Sequence, residues 1–279
     1  MTGAADWQSR TGAAWAAEWA RTDRSFAALD PHLLEAALAG LYADAAVLDV
    51  GCGAGGTSLA VQAARPESAI TGIDLSENLI EVARQRAAAL AGRRPQFRVG
   101  DASASGEGGF DRIVSRHGVM FFADPVAAMA RLRGRLRPGG AITFSCFRER
   151  AANPWATEPI AVLGIGASAA VGGQAGGPGP FAFANHDEVA RILSRAGWAA
   201  IEAKPVDYRY IAGQGPDAVV EAVALLRRIG PAAPELVAAP PERRTELLER
   251  LEHFLADRLI DGIVSFPATA WIWTARNPD

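Results

Sequence analysis

The chain has 279 residues, 49% of them hydrophobic and 21% charged, which suits a folded α/β body with an elaborated cover and excludes a disordered or fibrous protein. A formal net charge of -3 and an isoelectric point near 5.9 offer no broad attraction for a polyphosphate backbone, so nucleic acid is not an expected partner. The two cysteines, Cys52 and Cys146, have no zinc-site spacing and imply no disulfide framework, and MTGAADWQSR carries acid and tryptophan where a secretory leader needs basic residues and an apolar run. A cytoplasmic protein without membrane insertion is therefore expected.

In chain order, residues 6–20 predict a helix with Trp15 and Trp19 on one face, and residues 31–41 a second helix with Asp30 as N-cap and Pro31 in its first turn. Strand and helix then alternate: AAVLDV, a helix over 57–64, SAITGID, a helix over 77–91, PQFRVGD, FDRIVSR, a helix over DPVAAMARLRGRLRPGG, and AITFSCF. Such alternation predicts an α/β fold with a doubly wound, mostly parallel seven-stranded sheet and helices on both faces. Arg131, Arg133, Arg135 and Arg137 read as the solvated face of the helix before AITFSCF, opposite Met129, Leu132 and Leu136. Between Arg148 and Ala184, the crowding of Gly, Ala and Pro over 164–180 predicts an irregular inserted lid. A helix over 186–196, a strand over 200–210, helices over 216–229 and 241–259, and the strand ATAWIWTAR complete the reading.

Gly51, Gly53 and Gly56 in VLDVGCGAGG satisfy the GxGxxG pattern of dinucleotide sites, so charge must separate two readings. A dinucleotide brings an anionic pyrophosphate to such a loop; S-adenosylmethionine brings an ammonium, a carboxylate and a sulfonium. Asp49 would repel the first and suits the second. Glycines let backbone approach a ligand where a Cβ would collide, and the helix N-terminus that follows can face a carboxylate. Asp74, at the end of the second strand, is placed to accept both ribose hydroxyl protons. Asp101, ending the third strand, is placed for an adenine amino group, with Ala102 leaving room for the ring. The alternative for Asp74 and Asp101 is simple capping of the next helices.

VLDVGCGAGG, TGIDLSENLIEVA, VGDAS, FDRIVSRHGVMFFADP and LRPGGAITF together resemble the successive motifs of class I methyltransferases, in the branch with ubiquinone and menaquinone methyltransferase-like enzymes. The resemblance is strong from Asp49 to Phe147 and looser in GAAW and in PGPFAFANHDEVARILSRAGW. It implies that Gly51, Gly53, Gly55, Asp74, Leu75, Asp101 and Ala102 line the cofactor, with Ser115 and Arg116 beside its methionine end. The quinone enzymes' own signature sequences are absent, so their substrate is not carried over.

Methyl transfer from a sulfonium is an in-line displacement, so alignment and exclusion of water can replace a catalytic triad. A high-pKa oxygen nucleophile still needs a base, and His117, just after the fourth strand, is the candidate; the alternative is a packing residue with no proton transfer. His32, His186 and His253 read as structural, and no metal cluster is expected. Trp15, Met120, Phe121, Phe147, Trp155 and Phe181 are the candidate walls of an apolar acceptor site, with Phe122 and Phe183 assigned to the core. Trp7, Trp15 and Trp19 either close over the cofactor or staple the leading helix to the sheet.

The expected organisation is an N-terminal helical cover at 1–44, a cofactor-binding core at 45–147, a substrate-covering lid at 148–185, and completion of the sheet with accessory helices at 186–279. The expected activity is methyl transfer from S-adenosylmethionine to an O, N or C atom of a small, rather apolar molecule, with S-adenosylhomocysteine as product. The competing readings are a nicotinamide-dependent oxidoreductase and a non-catalytic cofactor-binding sensor or scaffold.

Overall fold

A computed structural model describes residues 4–104, 106–165 and 177–278. Helices α1 (Ala4–Trp7), α2 (Arg10–Ala17), α3 (Trp19–Phe26) and α4 (Asp30–Leu38) precede strand β1 (Ala46–Val50). Then come α5 (Gly56–Ala64), β2 (Ala69–Asp74), α6 (Glu77–Ala88), β3 (Gln96–Val99), β4 (Phe110–Arg116), α7 (Pro125–Arg133) and β5 (Leu136–Phe147). After them run α8 (Pro154–Leu163), α9 (His186–Arg195), β6 (Ala199–Gln214), α10 (Ala218–Leu226), α11 (Ala233–Ala238), α12 (Pro241–Ala256), β7 (Leu259–Ile260) and β8 (Ile263–Arg276).

The strands form one sheet in the order β3-β2-β1-β4-β5-β8-β6, with the two-residue β7 folded back on β8. Neighbours from β3 to β5 pair in parallel, while β8 runs antiparallel between β5 and β6. The mostly parallel α/β sheet thus has the seven expected strands, plus a short hairpin partner. Successive residues of β1 feed different cores, as strand alternation requires: Val47 joins Val61, Ile70 and Val114, whereas Leu48 joins Leu33, Ile113 and Phe144. Among the described residues no helix is long and apolar enough to cross a membrane.

Several local expectations are corrected. The single leading helix is broken after Trp7 and again at Glu18, a residue 4% exposed whose carboxylate pairs with Arg21 and Arg228. Asp30 lies inside α4 and makes no cap bond; its carboxylate pairs with Arg116 instead. LRPGG opens β5 rather than closing α7, which stops at Gly134. Consequently Arg135 is buried and donates to the Glu107 and Ala102 carbonyls, Arg137 pairs with Asp111, and Arg133 reaches Ala196 and Asn277. Helix α8 occupies part of the expected irregular lid, with Pro154 in its first turn and left-handed Gly164 at its end; residues 166–176 of that segment lie outside the described residues. Strand β8 begins five residues before ATAWIWTAR and carries Pro267 within it, opposite Arg209 of β6.

Candidate active site

At the C-terminal end of β1 the chain must turn sharply to enter α5, and Gly51, Gly53 and Gly55 all take left-handed φ, at 64°, 52° and 82°. A Cβ on Gly51 would lie 2.9 Å from the Gly118 Cα and one on Gly55 would lie 2.8 Å from the Phe97 ring, so packing demands those two glycines. Around Gly53 a Cβ would meet nothing within 4 Å. There the backbone faces open space in a conformation that only glycine adopts freely, which fits a loop approached by a ligand. Asp74 holds this loop: its Oδ2 accepts from the Gly53 N–H at 2.9 Å and its Oδ1 from the Ser76 N–H at 2.9 Å. Ser76, not Asp74, caps α6 through the Leu79 N–H. Half-buried Leu75 lies between them.

Asp49 points inward from β1. Its Oδ2 accepts from the Ser58 hydroxyl at 2.6 Å, while Oδ1 is buried with no hydrogen-bond partner. Burial pushes this carboxyl up to about 6, against the opposing influence of the Ser58 bond and of Arg116. A cation such as an ammonium is the partner that such an oxygen lacks. Asp101 is exposed, and its Oδ1 accepts from both the N–H and the hydroxyl of Ser103, at 2.8 and 2.6 Å, in a local turn next to buried Ala102. Ser115 is a staple: its hydroxyl donates to the Val50 carbonyl at 2.7 Å and accepts from the Gly118 N–H at 3.2 Å. Arg116 binds the carboxylates of Asp23 at 2.6 Å and Asp30 at 2.9 Å, and lies over the Phe26 ring.

His117 follows directly, with φ at 60°. The imidazole stacks on Phe147 at 4.2 Å and lies 4.9 Å from Phe26; both ring nitrogens are buried without a partner. Burial, aided by Arg116, pushes it down to about 3, so it is neutral at physiological pH. From Phe147 the aromatic group continues to Trp155 at 4.8 Å and Phe181 at 5.7 Å. Trp155 is oriented by donating its indole N–H to Asn153.

Of the six expected acceptor walls, Phe147, Trp155 and Phe181 form one group, which His117 joins through Phe147. Met120 is buried and accepts from the Gly179 N–H through its carbonyl, tying its turn to the segment before α9. Trp15 and Phe121 instead meet Trp7, at 5.5 and 5.1 Å, in a separate group under the leading helices. Phe26, Tyr208 and Tyr210 escaped the sequence reading. Tyr210 stacks on Trp155 at 5.0 Å and meets Phe26 at 6.0 Å, while the Tyr208 hydroxyl is buried without a partner. Their signal was the alternation of VDYRYIA, which puts both tyrosines on one face of β6. Two open clefts, of about 400 and 360 Å³, are lined by 149 and 184–187 and by 163–165 with 235–247, apart from this centre. Among the described residues no His, Cys, Asp and Glu cluster could hold a metal ion.

Residues 47–140 match the methyltransferase domain family. Aklanonic acid methyltransferase DauC of Streptomyces sp. (strain C5) is 34% identical over 102 residues, 36% of this chain and 46% of that relative. Release factor glutamine methyltransferase of Rhodospirillum rubrum is 37% identical over 150 residues, 49% of this chain and 46% of that relative. The chain thus spans about half the length of the curated relatives it matches. Among solved structures, phosphoethanolamine N-methyltransferase 2 of Haemonchus contortus in complex with S-adenosyl-L-methionine has a TM-score of 0.52 at 17% identity, over 89% of this chain and 53% of that one, a likeness of fold. Residues 47–140 of the chain are thus similar to the methyltransferase domain family, and the fold around them is that of solved methyltransferases.

Proposed function

We propose that the chain transfers the methyl group of S-adenosylmethionine to an oxygen, nitrogen or carbon atom of a small, rather apolar acceptor. The observation that carries this reading is the junction at residues 116 and 117, where an ion-paired, acid-lined cradle passes within one residue into a dry aromatic group. Gly51, Gly53 and Gly55 would give the cofactor backbone access, Asp74 and Leu75 would border its ribose, Asp101 and Ala102 its adenine, and Asp49 its ammonium. Once bound, that cofactor supplies an electrophilic methyl group.

This chain's own residues align the acceptor and exclude water. His117, neutral and without a partner, offers one donor and one acceptor to a polar atom among apolar rings. So weak a base positions an acceptor oxygen rather than stripping a proton from an alcohol. An acceptor that arrives ionised, or loses its proton to water after transfer, suits it better. The two curated relatives are named for acceptors as different as aklanonic acid and a release-factor glutamine, so neither acceptor is carried over. The proposal includes a cytoplasmic location and no nucleic-acid partner, supported by the net charge of -3 and by two unpaired buried cysteines.

Calorimetric titration tests the reading. S-adenosylmethionine and S-adenosylhomocysteine are both expected to bind, and isotope-labelled S-adenosylmethionine incubated with cell extract is expected to label a small molecule. A folded chain that binds neither, or that saturates instead with reduced nicotinamide cofactor, overturns it.

A further inference from the structure

Helix α3 lies between the cradle and the far edge of the sheet, tied to both by charge. On one side Arg21 and Arg24 bind Glu221 of α10, and Arg24 also donates to the Ala212 carbonyl of β6. On the other side Asp23 takes Arg116 at 2.6 Å through Oδ1 and Arg86 at 2.8 Å through Oδ2. Arg86 is itself fixed, donating to the Ala54 carbonyl of the glycine loop at 2.7 Å and lying 4.1 Å over the Trp19 ring. The Asp23 carboxylate also borders the first residue of α5, since a Cβ on Gly56 would fall 2.9 Å from its Oδ1. Two guanidinium groups and the positive end of a nine-residue helix therefore converge on one carboxylate, and that carboxylate belongs to the cover.

Asp49, on β1, is bound to Ser58 in the first turn of that helix and has one buried oxygen unpartnered. An α-amino acid brings an ammonium and a carboxylate on one carbon. The unpartnered Asp49 oxygen suits the ammonium, whereas Asp23 already has cationic partners on both oxygens and is poorly placed to take it. Resting on the proposed cofactor, we infer that Arg86, Arg116 and the first turn of α5 form the subsite for its α-carboxylate, and that Asp23 is an internal stand-in for that group. Entry of the cofactor carboxylate exchanges one carboxylate for another on the same guanidinium groups and frees α3 on its cradle side. A ligand without a carboxylate cannot make the exchange. Binding of S-adenosylmethionine, but not of such a ligand, is weakened by the fraction of chains in which Asp23 holds the subsite.

The test compares S-adenosylmethionine with its decarboxylated form, which keeps the amine, sulfonium and nucleoside, by calorimetry on the wild-type chain, Asp23→Asn and Asp23→Ala. Both variants are expected to bind S-adenosylmethionine about tenfold more tightly, with the decarboxylated ligand changed by less than about twofold. Hydrogen exchange of the wild-type chain is expected to show the α3 amides exchanging faster with S-adenosylmethionine and unchanged with the decarboxylated ligand. If the Asp23 variants weaken both ligands alike, Asp23 is an ammonium partner and the stand-in is overturned. It is equally overturned if the variants leave S-adenosylmethionine affinity unchanged. If none of the folded chains, checked by circular dichroism, binds either ligand, the cofactor reading itself falls and takes the subsite with it.

Discussion

Around the glycine loop, Asp74 is bound to the Gly53 and Ser76 N–H groups, Asp101 to the Ser103 N–H and Asp49 to the Ser58 hydroxyl, whereas in the aromatic group both nitrogens of His117 and the hydroxyl of Tyr208 have no partner among the described residues. The first region is a polar frame whose shape is fixed by hydrogen bonds among residues 23–116. Apolar packing from three distant stretches shapes the second, through Phe26, Phe147 with Trp155, and Tyr210. The methyltransferase domain match covers the first region and stops before Phe147. A polar frame of this kind can stay while the packed side changes.

Replacing Trp155 with Ala should give the largest effect on stability, about 3–5 kcal/mol, because its ring is 5% exposed and packed on Phe147, Phe181 and Tyr210. Urea unfolding measures it, and calorimetry should find cofactor affinity changed by less than about threefold, within the uncertainty of local relaxation. A large loss of cofactor affinity would erase the division between the two regions.

Asp74→Ala should do the reverse. It strips the acceptor from the Gly53 and Ser76 N–H groups, at about 1–3 kcal/mol for the buried donors left unpaired. Its affinity for S-adenosylmethionine should fall by at least about a hundredfold, as expected when roughly 3 kcal/mol of binding is lost. Retention of affinity within tenfold would mean that the loop holds its shape by packing alone.

The smallest effect is in pH dependence, where the two regions carry opposite signs. His117 is held down at about 3, below its ordinary 6.5, so its stabilising contribution is complete above 6.5 and is lost as pH falls toward 3. Asp49 is held up at about 6, above its ordinary 3.8, so its contribution is present at low pH and is lost as pH rises through 6. Subtracting urea-unfolding curves of His117→Phe from those of the wild type between pH 4.5 and 7, a window of about 2.5 units, should leave a difference that falls on acidification. Its slope should approach about 1.4 kcal/mol per pH unit. A flat difference would mean that the imidazole is hydrated and that its surroundings are not dry.

The same contrast explains what could be read in the sequence. Strands β1 to β3 and the acids in or just after them were legible because each is closed within a few residues by Gly or Asp, and β4 because of its apolar core IV. The break at Glu18 was hidden, because the group that draws its carboxylate inward includes Arg228, more than two hundred positions away. Asp23 reads as one more surface acid until Arg86 and Arg116 are brought to it. LRPGG has the punctuation of a helix end, yet the chain already turns at Gly134, and pairing with β4 claims the rest as strand. Helix α8 was masked by the glycine-rich stretch beyond it. The position of His117 was evident from its place after β4, but its dryness depends on Phe26 and Phe147, from opposite sides in sequence.

Where α2 meets the start of α6, Gly12 is packed so closely that a Cβ would stand 2.8 Å from that of Ser76. The leading segment is rich in alanine and looks tolerant, yet at this point a single methyl group would act as a wedge under a door. It would pry α2 from Ser76, the residue that caps α6 and whose N–H is held by Asp74, so the strain would pass directly to the carboxylate that holds the glycine loop. The fit of the whole cover therefore depends on the absence of one carbon atom.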